Sequence, residues 1–343
     1  MEHVLDRRPM MKISLLTKPF SPIARCGKEA ERRFNYYKYL LCGNHYKVWT
    51  CTNTVGGHQD VVSSFIEGAV CFPDVEIMVN PLRRNAEGSI LYVSAGWRTL
   101  RDAIAMKQKG LAQTLIAGPI ISDRPCDYDF IIANPAIDIY IVASQWYKDF
   151  FQHELKGTGR SMNIDVWAAG VNDDLWSPKR VLPSDEFKNA LVYGKQEGIA
   201  MLPEVTSTLK GLSKNVKQLR CKSHTPAEYK DALEWADFVV FCGETETQGL
   251  AFSQAWSMNR QTLIYKNAPK VLKTELDLYG GHDPHYSIAA PYLTPATGAL
   301  WANYNTLTEL VINLQQKSPR SWILDNQTNK IAFSKFLDMV SKL

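Results

Sequence analysis

The sequence predicts an α/β protein made of two Rossmann-like halves, each with a parallel sheet covered on both faces. Three observations carry this. Short apolar runs alternate with helical patterns along most of the chain, the order expected of βα units. The alternation occurs twice, on either side of Ala169-Gly-Val-Asn-Asp-Asp-Leu-Trp-Ser-Pro178, a stretch of glycine, acids and proline that ends the periodic pattern. The chain has 343 residues, too many for one typical domain and comfortable for two.

In the first half, Lys12–Thr17 is the first strand. The loop Lys18–Gly27 leads to a helix over Lys28–Leu41. That loop holds one glycine and lacks G-x-G-x-x-G, which argues against a dinucleotide cofactor and so against a dehydrogenase or epimerase. Strands follow at Val48–Thr52 and Val75–Val79, with a turn at Gly56–Asp60 between them. Ser89–Ser94 is a strand before the helix Arg98–Lys109, and Gln113–Ala117 a strand that stops at Gly118-Pro119. Ile139–Ala143, the helix Gln145–Leu155 and the strand Asn163–Trp167 complete this half.

In the second half, Asn189–Tyr193 is a strand ending in Gly194-Lys195, and Ala200–Leu212 a helix. Val216–Arg220 is a strand. Pro226–Trp235 is a helix with Thr225 as N-cap, Pro226 at its first position and Glu228 at its third, a capping box. Ala236–Phe241 and Gln261–Tyr265 are buried strands. Residues 266–300 read as irregular, Tyr304–Gln316 as a helix and Ile331–Lys342 as a last amphipathic helix. The expected organisation is a loose extension over 1–11, domains at 12–180 and 181–325, and a terminal helix, 326–343, packing back toward the first domain.

Composition narrows the function. Apolar content of 45% and charged content of 22% are those of a soluble globular protein. The net charge of +4 comes without any dense Lys/Arg block, so no nucleic-acid partner is expected; anionic ligands or an anionic membrane surface suit it better. Seven cysteines, an odd number without a C-x-x-C pair, imply reduced thiols in a cytoplasmic protein and neither a disulfide framework nor a zinc site. The N-terminus does not read as a signal peptide, and no apolar run approaches the ~20 residues of a membrane span.

The most informative stretch is Glu244-Thr-Glu246-Thr-Gln-Gly249-Leu250-Ala-Phe-Ser-Gln254-Ala-Trp256, where a buried strand stops and a helix starts. Ligands of open α/β sheets bind outside the carboxyl ends of strands. A helix start also offers unpaired N–H groups to anions. Gly249 admits close backbone approach, Glu246 accepts from hydroxyls, and Gln254 reaches from the second turn. The pattern has two readings: capping chemistry, or a site for a phosphate-and-hydroxyl ligand such as a nucleotide sugar.

Several stretches in order resemble the retaining GT-B glycosyltransferases, specifically glycosyltransferase family 4. Glu246, Gly249-Leu250 and Gln254 resemble that family's E-x7-E motif. Ser223–Phe241 resembles the helix and strand leading into it. Ile141-Val-Ala-Ser144-Gln-Trp-Tyr and Asp165–Pro178 resemble the end of the first domain and its linker. The resemblance spans residues 12–265. It implies two Rossmann-like domains whose parallel sheets face a central cleft. It also implies transfer of a hexosyl or pentosyl group from a UDP- or GDP-sugar to a sugar or glycoconjugate, with retention and without a metal or other cofactor.

By the same resemblance Glu246 meets donor-sugar hydroxyls and Lys195, after Gly194, stabilises the leaving diphosphate. The backbone at Gly249 and Leu250 faces the diphosphate, Gln254 meets the ribose, and Thr247 and Gln248 belong to the same donor loop. Gly27 is the remnant of a glycine-rich loop. Three positions depart from the family: Gln254 replaces an acid, Gln196-Glu197-Gly198 stands where a second basic residue is usual, and Gly118-Pro119 stands where a histidine is often found. These departures favour a rival reading, a catalytically weak sugar-nucleotide or glycan binding protein that kept the fold.

Candidates on the acceptor side are Asp123 and Arg124, just after a strand end, and His58 beside Asp60, whose other reading is a plain turn. His282-Asp-Pro-His285 lacks a third ligand and reads as a loop. Arg32, Arg33, Phe34, Tyr36, Tyr37 and Lys38 mark the first helix either as a surface element with Phe34 and Tyr37 in the core or as a peripheral membrane contact.

Overall fold

The computed structural model describes residues 11–18, 57–181, 187–243, 245–266 and 288–343. Residues 1–10, the loop from 19 through Gly27, the helix expected over 28–41, the strand expected over 48–52, Glu244 and the His282–His285 loop lie outside the described residues, while Met11, expected in the loose extension, is already the first residue of a strand. Two compact units result. One holds the described residues up to Gly170 together with Asn329–Leu343, and the other is Val171–Thr328.

The first unit contains β1 (Met11–Leu16), β2 (Val75–Val79), β3 (Ile90–Ala95), β4 (Leu115–Ile120), β5 (Ile139–Val142) and β6 (Ile164–Val166), all parallel, in spatial order β2-β1-β3-β4-β5-β6. Its helices include α1 (Gly57–Ala69), α2 (Trp97–Gln108) and α3 (Gln145–Leu155). β4 continues through a cis Gly118–Pro119 bond to Ile120, whereas the sequence pattern stops it at Gly118. Of the turn expected at Gly56–Asp60, the described part, Gly57–Asp60, is instead the start of α1. Val61, Phe65 and Ala69 recur every four residues and are all buried, and this helical stripe outweighs the turn propensity of the glycine pair.

The second unit contains β7 (Asn189–Gly194), β8 (Asn215–Arg220), β9 (Phe238–Cys242), β10 (Gln261–Tyr265) and β11 (Gly298–Trp301), again all parallel, in the order β11-β10-β9-β7-β8. Its helices among the described residues include α4 (Leu202–Gly211), α5 (Pro226–Trp235), α6 (Leu250–Ser257), α7 (Tyr304–Ile312) and α8 (Pro319–Asn326). The central strands β7 and β9 bury both faces, as expected of a parallel sheet covered on both sides, whereas the edge strand β8 is largely exposed. Leu191, Tyr193, Val239 and Phe241 pack with Tyr229, Phe252 and Trp256. Ala190, Val192, Phe238, Val240 and Cys242 pack on the other face with Leu202, Val205, Leu209 and Leu307. The sequence pattern foresees neither β11 nor α8. β11 is four residues long and begins with Gly298, so only its pairing with β10 makes it a strand.

Local signals hold where they are self-contained. Thr225 accepts from the Glu228 N–H while the Glu228 carboxylate accepts from the Thr225 N–H, the capping box at the start of α5. These bonds hold the Glu228 carboxyl below the usual carboxylate range. At the other end of α5, Arg180 donates to the carbonyls of Trp235 and Ala236, and the buried Arg260 donates to that of Leu233, satisfying orphan groups. Burial, then the charge of Arg180, lowers Arg260 to about 10, so it stays charged at neutral pH. Asp237, 2% exposed, accepts from Arg180 and from the N–H groups of Lys188 and Asn189. It thereby ties the start of β7 to the start of β9.

The terminal helix, α9 (Asn329–Val340), belongs to the first unit. Phe333 and Phe336 enter an aromatic cluster with Phe65, Tyr92 and Trp167, centroids 4.7–6.3 Å apart, and each of the five rings is at most 1% exposed. Trp167 Nε1 donates to the Ala332 carbonyl at 2.8 Å, and Asn329 Nδ2 to Glu67 at 2.7 Å. The two helices touch at Gly68, where a Cβ would sit 2.3 Å from the Asn329 carbonyl oxygen.

Candidate functional site

Lys195 and Glu246, 51 residues apart in the chain, meet beyond the carboxyl ends of β7 and β9. Lys195 Nζ donates to Glu246 Oε1 at 2.7 Å, and the two side chains are 32% and 18% exposed. The backbone fixes both. The Lys195 N–H donates to the Cys242 carbonyl at 2.9 Å, and the Glu246 N–H to that of Ile288 at 3.1 Å. The turn after Lys195 lies against the end of β9, with the Gly198 N–H bonded to the Lys195 carbonyl. The Cys242 thiol, buried beside this junction, is pushed up to about 12 by desolvation and stays protonated at neutral pH.

Gly249 starts α6 in the left-handed region, φ 83, and no side chain caps the helix. Its first turn carries no acid, so the positive end of α6 meets no carboxylate of its own. A Cβ on Gly249 would lie 2.5 Å from the Phe252 ring. Gly249→Ala therefore adds backbone strain to a ring clash and is expected to lower stability by about 1–2 kcal/mol or more. Urea unfolding checks this: the midpoint drops with the slope unchanged, and an unaltered midpoint would remove the need for glycine here.

Of the other residues expected on the donor side, Gly194 ends β7, and Thr247, Gln248, Leu250 and Gln254 lie on the loop and helix that carry Gly249. Thr247 is exposed, Gln248 is 5% exposed, Leu250 opens α6, and Gln254 sits half-buried on its second turn. Gln248 and Gln254 each have interaction partners.

Tyr193 and His224 were not singled out by the sequence pattern, yet they line the same strand ends. His224 Nδ1 lies 3.1 Å from the Thr225 carbonyl, an acceptor, so that nitrogen carries the proton. In the neutral ring Nε2 then accepts from the Tyr193 hydroxyl at 3.2 Å. Burial pushes the Tyr193 phenol up, with Cys221, Tyr229 and Glu246 adding to the effect. The only sequence signal was position, since Tyr193 directly precedes Gly194-Lys195.

In the first unit, Asp123 is exposed, but Arg124 turns inward, 9% exposed, and pairs with Glu154 at 3.1 Å. Arg124 thus anchors the loop after β4 onto α3. Asp127 braces the same loop, accepting from the Ser122 hydroxyl and from the N–H groups of Asp123 and Arg124. His58 lies in the first turn of α1, and its side chain is outside the described residues. Tyr128, Asp129 and Phe130 follow with φ of 51°, 58° and 57°. Three consecutive left-handed residues without glycine cost about 1–2 kcal/mol each. Among the described residues no three His, Cys, Asp or Glu converge to hold a metal ion. No described helix is long and apolar enough to cross a membrane.

Neither a family profile nor any curated protein matches the sequence. Solved structures do match. The Anabaena protein HepE in complex with UDP superposes with a TM-score of 0.54 at 12% identity, covering 97% of this chain and 100% of that one. The lipopolysaccharide outer core galactosyltransferase WaaB, in its apo form, gives 0.53 at 11% identity with the same coverage. The chain has the GT-B fold. With both chains of this GT-B pair covered end to end, the likeness extends over both α/β units.

Proposed function

We propose that the protein is a retaining glycosyltransferase of the family 4 type, moving a sugar from a nucleoside-diphosphate sugar to a glycan or glycoconjugate. The observation that carries this reading is the Lys195–Glu246 pair at the strand ends, beside the uncapped start of α6. A leaving nucleoside diphosphate gains negative charge as the glycosidic bond lengthens. Lys195 and the N–H groups at the start of α6 are fixed donors for that charge. Glu246 accepts from donor-sugar hydroxyls, and Gln254 bonds the ribose. A front-face displacement needs no protein nucleophile, so leaving-group stabilisation and acceptor positioning supply the rate.

The fold shared with UDP-bound HepE supports a nucleotide donor. A thermal-shift panel of UDP, GDP, ADP and their sugars tests it. At a concentration 100 times its Kd the right nucleotide adds about 2.7 kcal/mol, which raises the melting temperature by roughly 5–10 °C. No shift with any nucleoside diphosphate would sink the reading. Gln254, where the family carries an acid, favours a second reading, a nucleotide-sugar binding protein without turnover. That reading requires nucleotide binding with no donor hydrolysis above background.

A further inference from the structure

The start of α2 and the left-handed turn after β4 form a cluster that the donor chemistry leaves unused. Trp97, the first residue of α2, stacks on Tyr128 with centroids 5.3 Å apart and planes 19° from parallel. The exposed Arg98 and Arg101 hold their guanidinium carbons 5.0 and 5.6 Å from the Trp97 ring centroid. Arg160, also exposed, lies 4.5 Å over the ring of Phe130. Tyr128 itself is 53% exposed. Both segments leave the carboxyl ends of adjacent parallel strands, β3 and β4, where open α/β sheets take ligands.

This combination has a definite chemistry. A half-exposed aromatic ring held in place by stacking offers a flat apolar face, which suits the C–H face of a pyranose. Guanidinium groups stacked on rings are oriented in advance, and they bind phosphate or carboxylate through paired N–H bonds. α2 begins at Gly96 with no side-chain cap and no acid in its first turn, so its dipole adds to Arg98 and Arg101. Asp123 and Asp129, exposed in the same loop, suit sugar hydroxyls rather than the anion. Tyr128, Asp129 and Phe130 are held in the left-handed region without glycine, and strain of this kind gathers at functional sites.

We propose that this cluster binds an anionic sugar, a pyranose carrying a phosphate or a carboxylate, with Tyr128 under the ring and Arg98 and Arg101 on the anion. Resting on the glycosyltransferase reading, this ligand is the acceptor. The test titrates the full chain with glucose 6-phosphate, glucuronate, glucose and inorganic phosphate, followed by saturation-transfer NMR and calorimetry. At least one charged sugar is expected to bind about tenfold or more tighter than glucose, the worth of a charge-assisted contact. Arg98→Gln with Arg101→Gln is expected to erase that preference. Tyr128→Gly suits the left-handed backbone, so it is expected to keep the melting temperature within a few degrees while weakening both kinds of sugar.

Four results overturn the proposal: no binding by any probe, equal binding of charged and neutral sugars, a preference that survives the double arginine change, or sugar binding unaltered by Tyr128→Gly. Inorganic phosphate binding as tightly as glucose 6-phosphate overturns the sugar part. A UDP titration on the same samples reports on Lys195 and Glu246 separately. Anionic-sugar binding without UDP binding counts against the transferase reading alone, and UDP binding without anionic-sugar binding counts against this site alone.

Discussion

Lys195→Ala is expected to lower transfer, and the slower hydrolysis of the donor, by about 10²–10³-fold in kcat, the usual cost of deleting one fixed donor to developing charge. The change falls on kcat more than on KM, because the diphosphate is more negative when leaving than when bound in the donor. Glu246→Gln keeps a hydrogen-bonding amide but removes the charge that holds Lys195 at 2.7 Å. Its loss is expected to be smaller than that of Glu246→Ala. Folding should hardly change in any of the three. The Lys195 side chain is about a third exposed, and ion pairs of this kind contribute about 0–1 kcal/mol. Steady-state hydrolysis of the stabilising nucleotide sugar, with circular dichroism as the folding control, decides it. Wild-type rates in folded Lys195→Ala would remove Lys195 from the mechanism.

Phe336→Ala is expected to be the most destabilising of these single changes. Phe336 is fully buried and its ring meets those of Phe65 at 4.8 Å, Tyr92 at 5.0 Å and Trp167 at 6.0 Å. Truncating such a ring costs about 3–5 kcal/mol, as lost burial plus the cavity left behind. For a unit of this size that lowers its melting temperature by roughly 6–20 °C. Gly68→Ala attacks the same helix docking from the other side by driving a Cβ into the Asn329 carbonyl. Calorimetry on both variants checks the docking of α9. A shift of less than about 2 °C in each would mean that this helix adds little to the stability of its unit.

The legible parts of the fold were those whose signals are local. The apolar runs at 139–142 and 261–265, the periodicity at 145–155 and the Thr225–Glu228 box each encode their element within a few residues. Misreadings arose where local and distant signals disagreed. The Gly56-Gly57 pair looks like a turn, but burial of Val61 and Phe65 makes Gly57–Ala69 a helix. Gly298–Trp301 has no strand pattern of its own and is a strand only as the neighbour of β10. In the candidate site, Gly194, Lys195, Glu246 and Gly249 were visible as residues at strand ends, because a parallel sheet puts those ends together. Arg124 was visible in the same way, but its partner Glu154 was not, being thirty residues on.

By itself the sequence determined the class of this protein. Two rounds of alternating apolar strands and helical patterns leave few arrangements other than two parallel α/β units, because strand length and periodicity are properties of neighbouring residues. Only the tertiary structure decided which charged and aromatic side chains meet. It joined Lys195 to Glu246 across 51 residues, buried Arg124 against Glu154, and stacked Trp97 on Tyr128 beside Arg98. The physical reason is that a side chain's partner is set by the packing of whole elements, and that packing depends on contacts distant in the chain.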